Sequence, residues 1–322
     1  MSQPVFDTTT NAVFIPTIIA QKALGRFPSY MNLAKTVARD SDWTPATVGQ
    51  VIQVPKRGAL VANDKVSGSV YTLQNPTGTN ISVTLNKHKE VTFAIDDVAK
   101  VVQNQDTQEG YGDDAAIALA ESVEQSIAAL YPSVSAVKDL ITSTAATIDT
   151  SILGVRKYFV DQKVPLVEQK FAYVDSSVVN TLLSQDKYTR YDALGNAVAL
   201  MAQGNNAGSP TNGNSPILTG KITRIYGIDF YESQNIQTSG SPVAYHNLVY
   251  TKNAFILATR PLADIPAGYG AVAQVVNDED INMTLRAFMR FDGDLGAFKV
   301  TIDCLFGTTV LDQRRCVLLE SF

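Results

Sequence analysis

The chain is poor in the residues from which most active sites are built. Its 322 residues include two cysteines, two histidines and one tryptophan. Cys304 and Cys316 are too few for a disulfide framework or a four-ligand zinc site, so reduced thiols are expected. Neither His88 nor His246 has a Cys, Asp or second His at a spacing that marks a metal site or a triad. Apolar runs that could span a bilayer, ~20 residues long, are missing as well. The stretch Ala12–Ala20 is interrupted by Pro16 and Thr17 and precedes the first basic residue, Lys22, so it does not read as a secretion signal. Charge is scarce at 18% of residues, below the ~25% of ordinary soluble domains, which points to a surface partly covered by other chains. With 26 basic against 31 acidic residues and a net charge of -5, a dedicated nucleic-acid binder is disfavoured, because such a protein must neutralise many phosphates. Glycine-rich phosphate loops, dinucleotide fingerprints and nucleophile elbows are also absent.

What the chain does have is enough apolar residues, 45% of the total, to bury a large core in two or three structural units. Pro4, Pro16, Pro28 and Pro45 cluster at the start, and proline has no N–H to give to a ladder or helix interior. Residues 1–47 therefore read as an extended arm with room only for short helices at Ile18–Leu24 and Tyr30–Ala38. Phe14, Ile15, Phe27 and Trp43 need a surface to lie on, either another subunit or the body of the same chain. A frayed tail is the alternative and suits these aromatics less well.

From Val48 to Ile95 the apolar period is two: Ile81, Val83 and Leu85 alternate with polar residues, as do Val91, Phe93 and Ile95. Turn chemistry at Pro55–Gly58, Asn63-Asp64 and Asn75–Gly78 divides the region into hairpins. A hairpin alone is marginally stable in water, so this one must lean on something. A helix is predicted from about Asp113 to Tyr131, with Asp113 and Asp114 at its positive end and Pro132 stopping it. Leu119, Val123, Ile127 and Leu130 form its packing stripe, while Glu121, Glu124 and Gln125 face away. Beyond it, helices at Thr150–Asp161, Ser176–Gln185 and Asp192–Gln203 and a strand at Lys170–Val174 read as a compact α+β unit, followed by a polar loop at Gly204–Pro216. In the last third, the alternation from Ile281 to Phe291 predicts a long strand. The turn Asp292–Gly296 joins it to a second strand carrying Val300, Ile302, Cys304 and Phe306 on one face.

No residue is singled out as catalytic, cofactor-binding or metal-ligating. Cys304 alternates with apolar neighbours and reads as a packed thiol; Cys316 lies beside Arg314 and Arg315 but has neither a helix N-terminus nor a histidine to activate it. Asp292–Gly296 lacks the further ligands of a calcium loop, and Asn277–Asp280 reads as a solvated acidic run. The expectation is a protein that is not an enzyme and needs no cofactor; an enzyme whose acids meet only in space is the rival from another class.

Charge is unevenly distributed. Residues 48–95 hold Lys56, Arg57, Lys65, Lys87 and Lys89 against two acids, whereas residues 96–150 hold ten acids against Lys100 and Lys138. The loop cations are accordingly expected to face Asp113, Asp114, Glu121 and Glu124 on the helix of a neighbouring copy. Such exposed pairs set register while apolar and backbone contacts hold the interface. Two solvated faces that never meet are the plain alternative.

The order of parts, together with several phrases, resembles the major capsid protein of tailed bacteriophages, the Hong Kong 97-type fold, over nearly the whole chain. Phe14-Ile-Pro-Thr-Ile-Ile-Ala-Gln21 and Val54-Pro-Lys-Arg-Gly58 are similar to the arm and loop entry of the coat-protein branch of short-tailed Salmonella phages. Gly220–Ser233 resembles a strand pair of the family's A-domain; Asn253–Leu262 and Leu305–Asp312 look like the return into the P-domain and its closing strand. The resemblance implies an α+β fold with an N-terminal arm at 1–47, an E-loop at 48–95, a P-domain spine helix region at 96–135, an A-domain at 136–250 and P-domain strands at 251–322. It implies a virion shell of hexamers and pentamers on icosahedral symmetry, enclosing double-stranded DNA without specific binding and assembled in the host bacterial cytoplasm. Implied partners are the chain itself, a separate scaffolding protein, a portal and a decoration or cement protein, with no membrane. No coiled-coil segment precedes the arm and no large insertion follows Thr219, unlike in some relatives. Crosslinking between Lys and Asn is not implied, because its partner positions find no match. An encapsulin-type compartment is the alternative within the fold.

Overall fold

The structure, a computed structural model, describes residues 31–39, 51–58, 60–75, 77–96, 105–140, 145–185, 224–263, 265, 271–278 and 283–321. The helices expected at Ile18–Leu24 and Asp192–Gln203, the loop Gly204–Pro216 and Trp43 lie outside these residues.

Two sheets carry the body. In the first, the long strand β14 (Ala297–Val310) is central. One of its edges pairs with β13 (Met283–Asp292) and then with β11 (Phe255–Arg260), and the other with β4 (Lys87–Asp96). β12 (Ala271–Asp278) extends the sheet beyond β13, and the short β1 (Ala38–Arg39) pairs in parallel with β11. The alternation in β13 buries Met283, Leu285, Ala287 and Met289 and leaves Thr284, Arg286 and Phe288 half-buried, as a sheet with one core face requires. On its outer side Arg286 makes a bidentate pair with buried Asp303, at 3.1 and 2.6 Å, and His88 Nε2 lies 3.0 Å from the same carboxylate. Asp292–Gly296 forms the predicted hairpin turn. Lys87–Asp96, expected within the loop region, runs instead in this sheet, where Phe93 packs on the core and Ile95 is buried in it.

The second sheet has the order β5 (Val137–Leu140), β15 (Cys316–Ser321), β10 (Ala244–Thr251), β6 (Lys170–Val174), β8 (Ile228–Glu232) and β7 (Arg224–Ile225), with β9 (Thr238–Ser239) also on β10. Its central strands are buried on both faces, hence their nearly unbroken apolar runs. On one face lie α3 (Ala145–Asp161) and α4 (Ser176–Leu183), through Ile148, Ile152, Val155, Phe159, Val178 and Leu182. Asp175 caps α4 by accepting from Ser177 N at 2.9 Å.

The long helix α2 (Gln105–Ala128) joins the two sheets, because its buried stripe shares one core with Tyr173, Tyr250 and Leu318 of the second sheet and Leu285, Ile302 and Phe306 of the first. It begins well before the predicted Asp113 and tolerates Gly110 and Gly112, so Asp113 and Asp114 sit in its interior rather than at its positive end. The arm residues Met31, Leu33, Ala34 and Val37 close the same core, partly as the single turn α1 (Leu33–Thr36).

Candidate interaction surface

The hairpin formed by β2 (Val51–Arg57) and β3 (Gly78–Thr84) pairs from Val51 with Thr84 out to Arg57 with Gly78. The turn predicted at Pro55–Gly58 is therefore mostly strand, and one long hairpin replaces several short ones. At its root the inward row Ile52, Val54, Val83 and Leu85 packs on Ala38, Ile256, Ala258 and Leu311. On the solvent side, Gln53 and Ser82 bond each other across the strands at 2.9 Å. The root also passes close over β14: a Cβ at Gly307 would stand 2.2 Å from Thr84 O, so only glycine admits this crossing.

Beyond Arg57 and Gly78 the ladder ends and the loop organises itself locally. Gln74 bonds both the N–H of Val61, at 2.9 Å, and its carbonyl. Lys65 Nζ donates to Val66 O at 3.1 Å and to Ser69 O, closing a turn in which Gly68 has φ +81°, and it lies 4.9 Å from the Tyr71 ring centroid. The apolar side chains of this loop find no core. Leu60, Val61, Val66, Val70, Tyr71 and Leu73 are 67–95% exposed.

A cavity of about 850 Å³ opens beside the root, lined by Lys56, Arg57, Asn253, Asp312, Arg314 and Arg315 among others. Asp312 serves three cations: Lys56 Nζ at 3.3 Å, the Arg314 guanidinium at 3.0 Å and Arg315 Nε at 3.5 Å. Burial would push the Asp312 carboxyl up, but bonds from the Arg314 side chain and backbone and the charge of Lys56 hold it below the usual carboxylate range. Arg315 also pairs with Glu168. Lys56, Arg57, Arg314 and Arg315 thus line the cavity with one carboxylate, Asp312, leaving it positive.

Of the loop cations singled out in the sequence, Lys56, Arg57 and Lys65 lie on the hairpin or in its loop. Lys87 does not: it donates to Ser126 O at 3.1 Å and Thr308 Oγ1 at 2.8 Å, inside its own subunit. Burial, and then the charge of Lys89, lower its pKa. Lys89 is exposed on β4 opposite Cys304. On α2, Asp114 and Glu121 are exposed and Asp113 is half-buried. Glu124 is a correction. It was expected to face away from the core but is 1% exposed, because the covered face of α2 is wider than one stripe and also takes in Ala116, Ala120 and Ala128. The expected intersubunit role of Glu124 falls with its burial. The exposed loop and the pair Arg314 and Arg315 were missed as a surface; the dense apolar run between Leu60 and Leu73, interrupted by turn residues, was the available signal.

Both cysteines are buried, and burial pushes each thiol up to about 12. Among the described residues no cluster of three His, Cys, Asp or Glu could hold a metal ion, and no helix is long and apolar enough to cross a membrane.

No family model matches the chain, and no curated protein does. Solved structures do. One from Mycobacterium phage Che8 is similar at a TM-score of 0.59 and 17% identity, over 91% of this chain and 90% of that one. The capsid asymmetric unit of cyanophage Pam1 follows at 0.57 and 14%, over 92% and 91%. A virus-like particle from Pyrococcus furiosus is similar at 0.51 and 10%, over 94% and 98%. Likeness at such identities speaks for the path of the backbone, with two sheets joined by one long helix and a hairpin projecting from them: the chain has the Hong Kong 97-type fold of tailed-phage capsid proteins.

Proposed function

We propose that this chain is the major capsid protein of a tailed bacteriophage, a structural subunit rather than an enzyme, which self-assembles into hexamers and pentamers of an icosahedral shell around double-stranded DNA. One observation carries the reading: a hairpin firmly rooted on its own body presents six apolar side chains, 67–95% exposed, at its far end. Water is a poor partner for such a loop, and burying it on another copy through a heterologous contact closes rings and shells. Lys56, Arg57 and Lys65 then orient the loop against Asp114 and Glu121 of a neighbour, and the net charge of -5 keeps the shell from gripping the packaged phosphates. Assembly takes place in the host cytoplasm with a separate scaffolding protein, a portal and a decoration protein as partners.

The test is light scattering coupled to size exclusion, with negative-stain microscopy, on protein made with and without its neighbouring genes. Closed shells of megadalton mass are expected; a stable monomer or dimer in both preparations would overturn the proposal. The likeness to a virus-like particle over 94% of the chain favours a second reading, a protein compartment enclosing cargo. Nuclease-protected DNA inside purified particles separates the two.

A further inference from the structure

Glu124 is a buried carboxylate for which shell contacts give no use. Its Oε1 accepts from Ala34 N at 2.9 Å and its Oε2 from Tyr173 OH at 3.0 Å. Tyr173 OH in turn accepts from Ser233 Oγ at 2.5 Å, and Ser233 Oγ accepts from Asn235 N at 3.0 Å. Beside this chain, Thr36 Oγ1 lies 2.5 Å from Tyr250 OH. The helical turn α1 has no side-chain cap of its own. Its first free N–H groups must be satisfied from elsewhere. Glu124 does this from a helix 90 residues away in sequence. One carboxylate thus ties together the arm segment, the long helix and the second sheet.

We propose that Glu124 is a proton-linked latch, which makes docking of residues 31–39 onto α2 and the second sheet tighter as the pH falls towards 5.

With the segment docked, burial raises the Glu124 carboxyl from its ordinary 4.5 to about 7, against the opposing bonds from Ala34, Tyr173 and Leu33 and the charge of Lys35. When the segment lifts, water reaches the carboxylate and the ordinary value returns. The docked state therefore holds a proton that the lifted state releases between those two values. Docking strengthens as pH falls through that window, by at most about tenfold per pH unit for one proton. Below the window both states are protonated, and above it both are ionised, so docking levels off on either side. The titratable and charged groups that act on the carboxyl are Lys35 on α1, Tyr173 on β6 and Tyr250 on β10. Burial raises both tyrosines far above the window, so neither ionises within it. Lys87 of β4 turns to Ser126 O instead.

The experiment is amide hydrogen exchange on the full-length soluble subunit from about pH 5 to about pH 8, corrected for intrinsic rates. Protection of residues 33–37 is referred to that of Ile302–Phe306 in β14, which removes any global change. Relative protection is expected to fall up to about tenfold per unit across the window and to level off above it, while Glu124→Gln holds the acidic level at every pH. Should Glu124→Gln fail to fold, Tyr173→Phe removes a donor to the ionised form and moves the fall to higher pH. A flat or opposite profile in the wild type, or the same slope in Glu124→Gln, overturns the latch. The readout needs no shell and is independent of the capsid proposal.

Discussion

The root and the tip of the β2–β3 hairpin bury their apolar residues against different things. At the root, Ile52, Val54, Val83 and Leu85 close onto Ile256, Ala258 and Leu311 of the same chain. At the tip, Val70, Tyr71 and Leu73 stand in water at 82–95% exposure, with the Lys65 ammonium over the Tyr71 ring. Both stretches are apolar, so composition does not separate them; what separates them is whether the chain supplies a facing surface. The root is part of the folded body and contributes to its stability. The tip adds little buried apolar area to the isolated subunit, and on the proposed capsid reading a partner covers it.

Changes at the root and the tip should therefore fail in opposite ways. The largest effect on stability belongs to the root. Leu85→Ala, at a side chain 5% exposed, should cost about 2–5 kcal/mol in urea unfolding of the subunit, with any assembly defect following from that loss. A cost below about 1 kcal/mol would mean that the hairpin root is not held as described. Between root and tip stand Lys56 and Arg57. The bridge from Lys56 to Asp312 is partly exposed, so Lys56→Glu with Arg57→Glu should change subunit stability by no more than about 1 kcal/mol. Assembly should nevertheless drop, since the charge that orients the loop is reversed. Normal shells from this double variant would sink the idea that these cations face a neighbour's acids.

The period-two strands, the long helix and the closing hairpin could be read from the sequence because each follows from local periodicity. Met283, Leu285, Ala287 and Met289 are buried in β13 as their alternation predicts. What local pattern could not give was the partner of each surface. Lys87 looks like a loop cation until β4 is seen to pair along β14 and carry it to Ser126 O. Glu124 looks solvated by helical spacing alone; the arm, 90 residues earlier, and Tyr173 of the second sheet cover it. Asp113 and Asp114 suggested a helix start because acidic side chains suit the positive end of a helix. The helix nevertheless runs back through Gly112 and Gly110 to Gln105.

The smallest effect on stability and the sharpest test of the comparison is at the tip. Tyr71→Ser with Leu73→Ser removes two of the most exposed apolar side chains, and replacing apolar surface already in water should leave subunit stability within about 0.5 kcal/mol of the wild type. The loop keeps its own scaffold, because Gln74 still bonds Val61 and Lys65 still bonds Ser69. If the tip serves only the interface, the variant gives a folded subunit that fails to form shells at concentrations where the wild type does, read by sedimentation. If instead the tip were ordinary exposed surface, both stability and assembly would be unchanged, and the division of the hairpin into a part for folding and a part for association would be lost. Loss of stability without loss of assembly would point the other way again, to a tip that folds back on its own body. Because the root variant moves stability first and the tip variant moves assembly first, the pair measured together separates a folding defect from an association defect, which neither variant does alone.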